Sequence, residues 1–340
     1  MFSSKIRNIW IEITLFSIAS ILLYQFSMGI FLFLIPLQIL FAKRDYETLI
    51  YAAALTFVAI VAVKFFRIGF SNFNSATKPL MALEILILVA FLGGLLLLNA
   101  DIKRIRFSSN LIKLFSVTAL FGILSIPVIL YYRGNTQFSN SMNILFKSIS
   151  EYLKQMFSSG GTTTLAIINK YINPQALKET TTKIFFRSYI FDYFALLGFS
   201  WWIGTAISNR STAMIGMKPE RKIAKISEFR LPEYYVWPLI INFALVLIDF
   251  KIKLGVIGYT AWNLLLILAV LYAIQGIGII NFLFKYFRIN PGLKFIVYFT
   301  LIVLLFTPKI NILILILIPG LGISEIWIKY REFERRDREE

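Results

Sequence analysis

The chain has 340 residues, of which 58% are hydrophobic and 16% charged, and it carries a net charge of +17. Soluble domains are about 45–50% apolar and about 25% charged, so a water-soluble globule, a disordered chain and a disulfide-stapled scaffold are excluded. With neither Cys nor His in the sequence, zinc fingers, Cys nucleophiles, Ser-His-Asp triads and HExxH metalloproteases are excluded as well.

A helix needs about 20 apolar residues to cross a bilayer core of about 30 Å. Apolar segments that reach or approach this length lie at 9–26, 28–42, 48–64, 79–99, 111–132, 184–207, 235–250, 258–284, 294–307 and 309–328. The expected fold class is therefore all-α, a polytopic transmembrane helix bundle of about ten segments forming a single integral membrane domain. The run 9–42 would make a helix of about 50 Å, too long for one crossing, and it is broken at Gln25-Phe26-Ser27-Met28-Gly29. Pro308-Lys309 breaks the run 294–328 in the same way. Segments 28–42 and 294–307 are short, so eight spans with re-entrant pieces is the alternative count. The first apolar stretch lacks a small-residue cleavage site and runs on into a second span, so it is not expected to be a cleaved signal.

The exception to the hydropathy pattern is an insertion at 133–183. In it Met142, Leu145, Phe146, Ile149, Tyr152, Leu153 and Met156 recur at helical spacing, with Ser139, Asn143, Lys147, Ser150, Glu151 and Lys154 opposite. This pattern predicts an amphipathic helix, ended by Ser158-Ser159-Gly160-Gly161. A weaker apolar stretch (Leu165, Ile167, Ile168, Tyr171, Ile172) stops at Asn173-Pro174. Such a pair could lie in the headgroup plane or cover the bundle as a lid. The charged run 331–340 reads as a solvated tail.

Lys and Arg sort by loop. With the N-terminus inside, the majority of the 35 basic residues fall on the cytoplasmic side, among them Lys43, Arg44, Lys113, Arg210, Arg230, Lys285 and Arg331. The positive-inside rule then places both termini in the cytoplasm, and the basic loops could meet anionic lipid. Merging the first two segments would invert everything downstream. Trp10, Trp237, Trp262 and Trp327 lie near segment ends, as interfacial anchors do.

Ionisable groups within spans are the default functional pointers. Glu84 and Asp192 are the most deeply placed, and Arg187 shares a segment with Asp192. Asn263, Gln275 and Asn281 add polar character to segment 258–284, where Gly276 and Gly278 permit close helix approach. These six polar residues are the candidate substrate-binding set. Glu12, Asp249 and Glu325 lie near interfaces, and the last two have Lys251 and Lys329 nearby as pairing partners. No Walker A, GxSxG or dinucleotide-loop context occurs, so no cofactor, metal, nucleic acid or catalytic residue is expected.

The C-terminal half carries a recognisable order. Ser227-Glu228-Phe229-Arg230-Leu231-Pro232 leads to Trp237-Pro238, Leu271-Tyr272-Ala273-Ile274-Gln275-Gly276 follows, and the chain closes with Leu321-Gly322-Ile323-Ser324-Glu325-Ile326-Trp327 and Arg331. This order resembles the YybS-like family of bacterial integral membrane proteins. At fold level the family is similar to substrate-binding S components of energy-coupling-factor vitamin transporters and to MreD-like membrane scaffolds. The resemblance implies a bacterial inner-membrane location and supplies no residue roles. The expectation is a small-molecule transport or substrate-binding membrane component. The alternative is a scaffold that recruits a membrane-protein partner, and an enzyme acting on lipid-linked substrates ranks last.

Overall fold

The computed structural model describes residues 2–26, 32–68, 77–101, 109–157, 172–214 and 226–332. Among them are α-helices and short 3-10 turns and no strand. The chain forms two compact units, Met1–Lys222 and Ile223–Glu340.

The first unit contains α1 (Phe2–Gln25), α2 (Leu34–Lys43), α3 (Tyr46–Ile68), α4 (Thr77–Asn99), α5 (Asn110–Gly134), α6 (Thr136–Phe157) and α7 (Pro174–Met214). The second contains α8 (Val236–Ile252), α9 (Val256–Tyr286), α10 (Pro291–Phe306) and α11 (Ile310–Ser324). Each apolar segment read from the sequence contains a helix. Among the described residues, six helices are long and apolar enough to cross a membrane, and four apolar helices are shorter. The outer surfaces are oily: α10 buries no residue, and Phe295, Phe299 and Phe306 are exposed on it. A helix that is apolar all round while lying on a surface is one that lipid solvates.

Helix direction in the first unit follows from its contacts. Trp10 meets Tyr51 with ring centroids 5.7 Å apart, Ser17 donates to the Ala52 carbonyl at 3.1 Å, and Lys64 lies 5.3 Å from the Tyr24 ring, so α1 and α3 run parallel. Ser20 donates to the Phe33 carbonyl at 2.5 Å, and Arg44 clamps Glu12 with bonds of 2.8 and 2.9 Å, so α2 runs back between them. The break inside 9–42 therefore stands, with α1 ending at Gln25. Tyr193 donates to the Ala90 carbonyl at 3.0 Å, while Ser125 meets Tyr189 at 3.2 Å and Phe115 meets Phe194 at 5.1 Å. Lys43, Arg44, Lys113 and Arg210 consequently share one end of the unit, and Arg67, Lys78 and Arg133 share the other.

Asp45 starts α3. Its Oδ1 accepts from the Thr48 N–H at 2.9 Å and the Thr48 hydroxyl at 2.5 Å, which supplies one of the bonds a helix start lacks. These two bonds, the hydroxyl first, hold the carboxyl below its ordinary range. A depressed folded value means the cap stabilises above the unfolded carboxylate range and its contribution is lost as pH falls through the folded value. Asp45→Ala is expected to cost about 1 kcal/mol near neutral pH. Thermal unfolding of both proteins should show the gap closing in acid.

Two elements differ from the sequence reading. Among the described residues of the segment expected at 28–42, the helix covers Leu34–Lys43, about 15 Å long. Segment 184–207 is part of a helix that starts ten residues earlier, where the Asn173 side chain accepts from the Ala176 N–H at 2.6 Å and Pro174 takes the first helical position. The amphipathic helix α6 forms as expected and touches α4 and α5 as well as α7. Lys178 donates to Asn143 at 2.7 Å and Ser150 donates to the Ile172 carbonyl, so α6 packs antiparallel on the first turns of α7. Phe146 and Ser150 are buried there, while Leu145, Ile149, Tyr152 and Met156 stay exposed. The weaker apolar stretch at 165–171 and the Ser-Ser-Gly-Gly stop lie outside the described residues, as does the tail from 333.

Candidate functional site

Of the six residues singled out from the sequence, Glu84, Arg187 and Asp192 belong to the first unit and Asn263, Gln275 and Asn281 to the second. Glu84 is on the surface of the first unit, its side chain 55% exposed, and pairs with Lys64 of α3. Asp192 is exposed and accepts from Ser188, one turn earlier on its own helix, at 2.9 Å. Arg187 is half-buried on the same helix. Asn263 is buried and donates to the Tyr259 carbonyl of its own helix at 2.8 Å, and Asn281 is half-buried. Glu84 and Asp192, the most deeply placed carboxylates along the chain, are thus both exposed in the first unit.

Gln275 is different. It is buried in α9, where its Nε2 donates to the Gly322 carbonyl at 3.1 Å and to Glu325 Oε2 at 2.9 Å. Its Oε1 accepts from the Leu231 N–H at 2.9 Å. Arg331 donates to the Phe229 carbonyl at 2.9 Å and to the Gln275 carbonyl at 3.3 Å, and its Nε lies 3.1 Å from Glu325 Oε1. Arg230 Nε lies 3.4 Å from the same oxygen. Side-chain exposure is 4% for Glu325 and 6% for Arg331, against 45% for Arg230. Burial pushes the Arg331 guanidinium down and Glu325 holds it up, with Arg230 pushing it down again. It stays protonated, because arginine does not lose its proton in proteins. The charged run expected from 331 thus begins with a residue whose side chain is buried, and Glu325 pairs with arginines rather than with Lys329.

Backbone approach makes this node compact. A Cβ on Gly276 would overlap the Ile318 carbonyl oxygen, and one on Gly322 would overlap that of Tyr272. The strap Ile226–Leu231 lies against α9, and Gly278 faces the Ile226 carbonyl. At the α8–α9 turn, Asp249 accepts from the Leu254 N–H at 2.9 Å and from the Trp262 indole at 3.2 Å, closing the hairpin.

The first unit holds a polar group that the sequence reading missed. Gln38 of α2 is fully buried and donates to Asn99 at 3.2 Å and to Thr205 at 3.0 Å, and it accepts from Asn99 at 2.7 Å. Asn99 also donates to the Leu95 carbonyl at 2.9 Å, and Thr205 donates to the Trp201 carbonyl at 2.7 Å. Gly204 lets α7 approach α2, since a Cβ there would sit 2.6 Å from the Gln38 Cβ. An amide within an apolar run was the available signal, and Gln38 is the polar residue of α2 ahead of its terminal lysine. Among the described residues no group of three or more Asp and Glu is placed to hold a metal.

The family described as "Predicted membrane protein (DUF2232)" matches residues 75–318. The chain belongs to this family. The match runs from before α4 into α11 and so takes in Asn99, Thr205, Arg230 and Gln275, while α1–α3 precede it. It agrees with the membrane family that the residue order implied, without carrying the YybS-like name. No curated protein and no solved structure matches the chain.

Proposed function

We propose that this member of the DUF2232 family is a non-enzymatic, substrate-binding or transport component of a bacterial cytoplasmic membrane, with both ends on the cytoplasmic side. The observation that carries the reading is α2. It is half the length of a crossing, it is enclosed by α1, α3, α4 and α7, and it carries Gln38 in the Gln38–Asn99–Thr205 group. Short helices inside a bundle are a means by which transporters hold polar groups within the bilayer. All three side chains are uncharged, so the molecule they suit is neutral and hydrogen-bonding.

The test is to purify the chain and identify retained small molecules by mass spectrometry, for wild type, Gln38→Leu and Asn99→Leu. The wild type is expected to retain a ligand that both variants lose. Each variant is also expected to lose about 1–3 kcal/mol of stability, because it strands buried partners. A wild type that is reproducibly empty, or variants that still hold the ligand, would defeat the reading.

A second reading has its own support. The polar groups of Gln38 and Gln275 are already engaged inside their units, which suits a rigid scaffold for a membrane-protein partner. Crosslinking from the 208–230 loop should then trap one stable partner, and repeated failure to trap any counts against it.

A further inference from the structure

Two guanidinium groups in the second unit share one carboxylate. Glu325 Oε1 lies 3.1 Å from Arg331 Nε and 3.4 Å from Arg230 Nε. The arginines also push on each other, since the charge of Arg230 is one cause of the lowered Arg331 value. The node therefore keeps a surplus positive charge, and that charge sits on its half-exposed member, Arg230. Among the described residues Arg230 has no second ion-pair partner.

The neighbourhood gives this charge a setting. Tyr234 and Trp237 follow Arg230 along the chain, Trp327 follows Glu325, and all three aromatic rings are well exposed, Trp327 to 73%. They stand where the apolar helices α8 and α11 begin and end. Exposed Trp and Tyr at the ends of spanning helices mark headgroup depth, and an arginine at that depth meets lipid phosphates with a guanidinium suited to bidentate contact. A neutral headgroup brings its own cation, whereas an anionic one brings the net negative charge the node lacks.

We infer that the Arg230 edge of the Arg230–Glu325–Arg331 node is a binding site for the phosphate of an anionic phospholipid. Arg331 and Glu325 are positioning residues in this site: Glu325 holds the strap residue Arg230 in place, while the buried Arg331 already balances the carboxylate's charge. The inference is independent of whether the chain is a transporter or a scaffold.

The test is native mass spectrometry of the purified full-length chain after incubation with phosphatidylglycerol or phosphatidylcholine. Wild type is expected to retain phosphatidylglycerol in preference to phosphatidylcholine. Arg230→Gln should retain about fivefold less, the loss expected for one basic contact with an anionic surface. Arg230→Lys should retain most of it, and Lys251→Gln, at the far end of α8, should match wild type. Equal retention of the two lipids by wild type overturns the inference, and this comparison needs no variant to fold. Undiminished phosphatidylglycerol on Arg230→Gln overturns it too. Displacement of the lipid by millimolar inorganic phosphate would assign the site to a soluble anion instead.

Discussion

Arg331→Leu is expected to destabilise the second unit by about 3–5 kcal/mol, the cost of breaking a buried ion pair from one side. The substitution leaves Glu325 with 4% of its side chain exposed and with Arg230 as its remaining cation at 3.4 Å. It also takes donors away from the Phe229 and Gln275 carbonyls. Glu325→Leu should be comparably damaging, because it strands Arg331 and removes an acceptor from Gln275. The double variant Glu325→Leu/Arg331→Leu is expected to recover part of the loss, since replacing both charges by apolar groups removes the desolvation cost of each. Unfolding of the four proteins in detergent closes the cycle. Single variants that unfold within about 0.5 kcal/mol of wild type, the range of ordinary surface changes, would show that the node is not a structural anchor.

Gly322→Val is the second large effect. The added side chain would overlap the Tyr272 carbonyl oxygen, which is helix backbone and cannot rotate away. Relief requires α9 and α11 to separate, and overpacking of this kind costs about 1–3 kcal/mol and occasionally more. Separation also lengthens the bonds from Gln275 to Gly322 and Glu325, so the loss is expected near the top of that range. Gly276→Val should behave alike, because its Cβ would overlap the Ile318 carbonyl oxygen. Gly320→Ala is the control: a Cβ there meets nothing within 4 Å, and it should be neutral or slightly stabilising. Equal melting temperatures for Gly322→Val and Gly320→Ala would remove the close approach from the account.

The helices were legible in the residues because an apolar run bounded by Pro, Gly, Asn or charge has few other ways to satisfy its backbone in lipid. Gln25 and Pro308 stopped helices where their surroundings suggested. The spacing of α6 foretold a helix but not its orientation, which depends on Lys178 and Ile172 reaching back to Asn143 and Ser150. The site was less legible. Glu84 and Asp192 were singled out by depth along the chain, and depth says nothing of the face on which a carboxylate emerges. Gln38 and Arg331 were passed over, one sitting in a short segment and the other at the head of a charged run.

Hydrophobic content, the order of helices and the crowding of Lys and Arg at alternate ends are properties of the linear chain, and they settled that this is a multi-helix membrane protein. They are local, set by what each stretch of about 20 residues requires of lipid and water. Which polar groups are buried, and with whom, was decided only by packing. Gln38 meets Asn99 and Thr205 across separations of 61 and 167 residues, and Gln275 meets Glu325 across 50. No periodicity encodes such partners, because the energy of a buried hydrogen bond depends on the group brought opposite it once the helices have closed.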